Sequence, residues 1–205
     1  MTSPIRVAGR SRDQAGRLVL WSVAEGDRGR RWREAALDGG SMTVARSVTL
    51  ETGLDRRPTR LEIATGGGLV ALHPEADGMI HGNQVHRSGV FHVQLDTAGG
   101  LPLFDLPGSP MLDAALCWAL APEIAVGEAR DVIVVRLWLG DRADPGSLSV
   151  GTQDLHVHRA TESHWSLGGS GLEPRDARFD PDGLPMPEPV QHWPLELEAE
   201  ATDPA

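Results

Sequence analysis

The sequence predicts a mainly β protein, a curved antiparallel β-roll or half-barrel with at most one or two short helices. Apolar residues recur at every second position in most stretches between Arg17 and Glu198. Examples are Val19, Trp21 and Val23, then Phe91, Val93 and Leu95, and finally Trp193, Leu195 and Leu197. That spacing puts each set on one side of a strand. The stretches are short and separated by turn-forming residues: Asp38-Gly39-Gly40, Gly66-Gly67-Gly68, Asp77-Gly78, Ala98-Gly99-Gly100 and Asp182-Gly183. Consecutive strands are therefore expected to pair as a meander. A sheet with one apolar face must cover that face, and a chain of 205 residues is long enough to do so around one core.

In chain order, strands are expected over Arg17 to Ala24, Arg31 to Leu37, Met42 to Leu50, Arg60 to Thr65, Leu69 to His73 and Met79 to Gly82. A second series covers Val90 to Leu95, Val132 to Leu139, Leu155 to Arg159, Arg175 to Phe179 and Val190 to Glu198. Two segments depart from this rhythm. Leu101 to Pro110 contains three prolines, which favours a loop or sheet corner over a central strand. Met111 to Leu120 reads either as a short helix, with Ser109 as N-cap and Pro110 at the first helical position, or as a buried strand. The expected organisation is an N-terminal extension or first edge strand over 1–16, a single β-roll domain over 17–200 and a disordered tail over 201–205.

Composition limits the class of partner. The 29 acidic residues outnumber the 19 basic ones, giving a formal charge of −10. That balance opposes nonspecific attraction to nucleic acid or anionic headgroups. The one cysteine, Cys117, has no internal partner for a disulfide and lies in the apolar run Ala114 to Leu120, as a small buried hydrophobe would. The first 16 residues lack the apolar segment of a signal peptide, and no stretch approaches the ~18 apolar residues of a spanning helix. These features predict a soluble, cytoplasmic protein.

Three local patterns then occur in order. Leu54-Asp55-Arg56-Arg57-Pro58-Thr59-Arg60-Leu61-Glu62-Ile63 has an Asp, a spacer and Thr-Arg ahead of a strand. Phe91-His92-Val93-Gln94-Leu95-Asp96 precedes a proline-rich corner, and Phe179-Asp180-Pro181-Asp182-Gly183-Leu184 joins a late strand to an Asp-Gly turn before the terminal strand. This layout, spanning about residues 17 to 198, resembles a bacterial glycolipid-binding family whose fold is a spiral β-roll related in shape to periplasmic lipoprotein carriers. His92 and Gln94 stand where that family has acids, and its Thr/Asn-rich segment is absent. The resemblance implies a β-roll that binds a glycolipid-like molecule, with Arg60 as the matching arginine.

The residues offer few other sites. His156 and His158 lie two apart on one strand face, about 6.5–7 Å between Cα atoms, and His164 or His92 could join them around a metal. Neither His-Glu-x-x-His nor paired Cys-x-x-Cys occurs, so a solvated strand face is the favoured reading. No Gly-x-Ser-x-Gly elbow is present, and Asp180, Asp182, Asp141 and Asp144 sit beside proline or glycine as turn formers. Indoles line apolar cavities and stack on sugars, and an inward arginine meets an anionic or hydroxylated head. The candidate ligand-binding set is therefore Trp21, Arg60, His92, Arg136 and Trp138, with no catalytic residue, metal or cofactor assigned.

The function expected from these readings is non-enzymatic binding of a lipid-like or glycolipid-like molecule in the concave apolar side of the roll. One alternative is a small metal-assisted or acid-base enzyme at the same concavity, centred on His156 and His158. The other is a β-scaffold interaction module using an exposed strand edge.

Overall fold

The computed structural model describes residues 5–13, 16–40, 43–140, 147–169, 172–186 and 192–194. The described residues fold into two sheets and one helix. The larger sheet contains β1 (Arg6–Arg12), β2 (Leu18–Gly26), β3 (Gly29–Leu37), β4 (Val44–Thr52), β5 (Pro58–Thr65), β6 (Gly68–Pro74), β7 (Met79–His86) and β8 (Gly89–Asp96). They run as an antiparallel meander, and β14 (His192–Pro194) pairs with the outer side of β1. The smaller sheet has the order β13-β12-β11-β10-β9. Its members are β9 (Leu103–Asp105), β10 (Ala129–Leu139), β11 (Leu148–Arg159), β12 (His164–Gly169) and β13 (Leu172–Arg178). The nine-stranded sheet ends at β14 on one side and β8 on the other, so it does not close into a barrel.

The expected period-two pattern is realised in the larger sheet. Trp21 and Val23 on β2, Val48 and Leu50 on β4, Leu61 and Ile63 on β5, and Val70 and Leu72 on β6 all point into one core, and Val19 on β2 is buried in the same phase. The intervening residues face outward, as a half-buried antiparallel sheet requires. Turns follow the glycines: Gly29 closes the β2–β3 hairpin with φ +124°, a conformation open to glycine and strained for other residues. The exception to the meander is β9, which runs parallel to β10. The sequence gives no strand signal at β9, because Leu103, Phe104 and Asp105 are all buried and show no alternation. The strand β12 is also absent from the predicted set; its apolar pair Trp165 and Leu167 is followed directly by Gly168-Gly169.

Close packing fixes the seam between β1 and β2. Gly9 sits opposite Trp21 in the register, and a Cβ there would stand 2.3 Å from Cζ2 of the buried indole. Gly9→Ala is expected to lower stability by about 1–3 kcal/mol, the usual cost of overpacking, measured by denaturant unfolding. An unchanged midpoint would show that the ring has room to move.

Of the two readings open for Met111 to Leu120, the helix is the one formed. It spans Pro110–Leu120 (α1), with Ser109 as N-cap accepting a hydrogen bond from the Leu112 N–H at 3.2 Å. Nine of its residues are buried, and it packs against β3 of one sheet and β9 and β13 of the other. A helix enclosed on nearly all sides has no polar face to reveal its period. The interior of the roll is thus occupied by α1, whose Met111, Leu112, Leu116 and Leu120 share a core cluster with both sheets. At its far end the guanidinium of Arg56 donates to the Trp118 carbonyl at 3.1 Å and lies 4.7 Å from the indole centroid. This external arginine supplies the cation that the last turn of α1 lacks.

Candidate functional site

The five predicted ligand residues occupy separate environments. Trp21 is in the core of the larger sheet. Arg60, on β5, is out of phase with Leu61 and Ile63, and is exposed beside Glu62, to which it donates. His92 is exposed on β8 and stacks on His81, with ring centroids 6.0 Å apart. Trp138, near the end of β10, is 40% exposed. Arg136 is buried and donates to Oδ2 of Asp105 at 2.7 Å. Of the histidines weighed for metal binding, His156 pairs with Asp131 through Nδ1 at 2.7 Å on the surface. His164 lies 3.3 Å from Asp176. Among the described residues no group of three His, Cys, Asp or Glu side chains is arranged to hold a metal ion. Asp141 and Asp144 lie outside the described residues.

Arg136 belongs to a buried ionic assembly that ties α1 to both sheets. On the larger sheet, Glu34 is in phase with the core residues Trp32 and Ala36, and Arg46 is in phase with Val48 and Leu50. Their side chains are 0% and 1% exposed and meet at 2.6 Å. The second carboxylate oxygen of Glu34 accepts from the Ser109 hydroxyl at 2.7 Å and from the Met111 N–H at 3.4 Å, placing negative charge at the helix N-terminus. On the other side, Asp105 is the register partner of Arg136 and also accepts from Arg175. Arg175 in turn donates to Asp113 of α1 through Nη2 at 2.8 Å.

Three arginines therefore balance three carboxylates, but burial acts strongly on Glu34 and Asp113. Desolvation raises the pKa of Glu34 against the opposing pull of Arg46. It pushes Asp113 up to about 6, with Arg175 opposing and Asp105 and Glu34 adding to the rise. For Arg175, burial works against the charge, yet the two aspartates outweigh it and hold the guanidinium protonated. The nearby Cys117 thiol is pushed up by burial and by the Asp113 charge, so it is a packing residue without thiolate character. This assembly orients the helix. The sequence already carried a signal for it, since charged residues in phase with a strand's apolar set must point inward.

A different place is open to a ligand. The corner after β8, the end of α1 and the edge of β10 enclose a cleft of about 270 Å³. Leu101, Leu103, Leu120, Val132 and Ile133 supply its apolar lining, and Thr97, Glu123 and Asp131 its polar groups. The corner is held by the Thr97 hydroxyl donating to the Gly78 carbonyl at 2.8 Å, with Ala98 at φ +53° and Gly99 at φ +73°. Glu123 is braced by Arg130 at 3.2 Å, and Asp131 by His156. None of the five predicted ligand residues lines this cleft. The proline-rich segment that interrupts the strand pattern forms one of its walls.

The chain matches no family model and no curated protein. Among solved structures it is similar to the crystal structure of a DUF1089 family protein from Pseudomonas aeruginosa, with a TM-score of 0.50 and 13% sequence identity. The alignment covers 91% of this chain and 89% of that one. At that identity the likeness is one of β-rich fold alone.

Proposed function

We propose that this protein binds a small amphiphile, lipid-like or glycolipid-like, without transforming it, in the cleft between the 97–103 corner and β10. The observation that carries this reading is the pairing of a five-residue apolar lining with a hydroxyl and two carboxylates. Such a site suits an alkyl segment joined to a neutral, hydroxylated head, because sugar hydroxyls donate to carboxylates whereas an anionic head is repelled by them. The sequence resemblance to glycolipid-binding proteins supports the same ligand class, since its second motif runs into Thr97. The cleft, at about 270 Å³, falls just below the ~300–1,000 Å³ typical of drug-sized ligands, so it holds part of an acyl chain. Five methylenes would contribute about 4 kcal/mol at ~0.8 kcal/mol each, with the hydrogen bonds of the head set against the cost of association. Binding of a short probe should be weak, with Kd on the order of 0.1–1 mM.

The test is isothermal titration with octyl glucoside below its micelle threshold. Ile133→Trp, which fills the cleft, is expected to weaken binding at least about tenfold, equivalent to ~1.4 kcal/mol. Equal affinity in the two proteins, or heat that saturates with neither, would refute the assignment. Native mass spectrometry before and after organic extraction gives an independent reading of any natural ligand.

A further inference from the structure

We infer that a second copy of this chain pairs antiparallel along β8, centred on Phe91, to make one sheet continuous across both copies. This surface is separate from the amphiphile cleft and does not depend on that assignment. Sheet edges in monomers are blunted by charges, prolines or bulges. The edge strand β13 follows that rule with Pro174, Arg175, Asp176 and Arg178. By contrast, β8 is eight residues long and carries no acidic, arginine or proline residue from Gly89 to Leu95.

Its backbone is set for such pairing. The Thr97 N–H donates to the Gly78 carbonyl at 3.2 Å, and the β7–β8 register continues without a shift from Met79 opposite Asp96 to His86 opposite Gly89. Alternation from that bond turns the backbone groups of Leu95, Val93, Phe91 and Gly89 towards β7 and those of Gln94, His92 and Val90 away from it. The side chains fit the same idea. Val90 is 67% exposed and Phe91 51% exposed. Val90 ends an outward row with Leu69 and Val85, aligned across three strands. Phe91 projects from the opposite face beside His86, with centroids 5.8 Å apart.

A two-fold axis through Phe91 sets Val90 of each copy opposite His92 of the other, so their outward backbone groups bond. The two Phe91 residues then face each other as a non-hydrogen-bonded pair with Cα atoms about 4.5 Å apart. The ladder spans residues 89–93 of each copy, and the exposed Asp96 of one copy then runs on past the hairpin turn of the other, towards the exposed Arg87, at both ends of the interface. Most of a chain with charge −10 repels its copy. Here the strip is uncharged in the middle and complementary at its ends, which is why the occupant is the chain itself.

Sedimentation velocity of the full chain over about 1–100 μM tests this. The wild-type protein is expected to reach twice its 22.0 kDa mass at the upper end. Val90→Pro removes an N–H that points away from β7, so it should keep the circular dichroism spectrum and remain a monomer. Phe91→Cys should form an intermolecular disulfide on oxidation, Cys117 being buried. If Val90→Pro fails to fold, Val90→Lys, which leaves every backbone donor in place, takes its part with the same expectation. A monomeric wild type throughout, a dimer that persists in the folded Val90 variant, or no disulfide in Phe91→Cys would each overturn the inference.

Discussion

Arg46→Met is expected to lower the free energy of unfolding by about 3–5 kcal/mol, the range for removing one partner of a buried ion pair. The change keeps a long side chain in place, so lost packing contributes little. The loss comes from Glu34, whose carboxylate is 0% exposed and retains only the Ser109 and Met111 donors. Burial already raises the Glu34 pKa while Arg46 opposes the rise, and without Arg46 it must climb further. The deficit should therefore shrink as pH falls and Glu34 takes up a proton. Combining Glu34→Gln with Arg46→Met should recover more than half of the loss, because the amide oxygen still accepts from Ser109 and the unpaired charge is gone. Denaturant unfolding of the two variants at pH 7 and pH 5 decides the matter. A deficit below about 1 kcal/mol for Arg46→Met would mean that water reaches Glu34.

Asp113→Asn should change how stability depends on pH. In the folded protein burial holds Asp113 at about 6, whereas an aspartate in the unfolded chain titrates near ~3.9. The folded state therefore binds this proton more tightly. The stabilisation from Asp113 is complete below about pH 4 and is lost as pH rises through 6, a swing of roughly 3 kcal/mol for about two pK units at ~1.36 kcal/mol each. The stability of wild type relative to Asp113→Asn should fall by that amount between pH 4 and pH 7. Glu34 is unchanged in the variant, so its own titration largely cancels in the difference. A pH-independent difference would show that Arg175 keeps Asp113 ionised throughout, with its two donors to that carboxylate outweighing desolvation.

The first of these experiments probes residues whose inward position is legible from strand phase. Glu34 interrupts the inward set Trp32 and Ala36, and Arg46 precedes Val48 and Leu50 in the same phase. A charge at such a position has no route to water and needs a partner. Arg60 stands in the opposite phase to Leu61 and Ile63, so its exposure was equally legible. The partners themselves were not legible. Arg46 meets Glu34 across neighbouring strands, while Arg175 meets Asp113 and Asp105 from positions 62 and 70 residues away.

By itself, the sequence determined the strand-rich architecture, because a period of two on a pleated strand gathers alternate apolar residues on one face and glycine-rich turns return the chain. Its spacing placed most of the meander from β2 to β8 and the proline-rich corner after it. Tertiary structure decided what fills the concave side. A helix buried all round loses the periodicity that would announce it, so Pro110–Leu120 became recognisable only once both sheets had closed on it. The same closure drew three arginines and three carboxylates into one buried assembly and left the cleft beside β10 open. Ion pairing and cavity shape depend on residues brought together from distant parts of the chain, whereas strand phase is written locally.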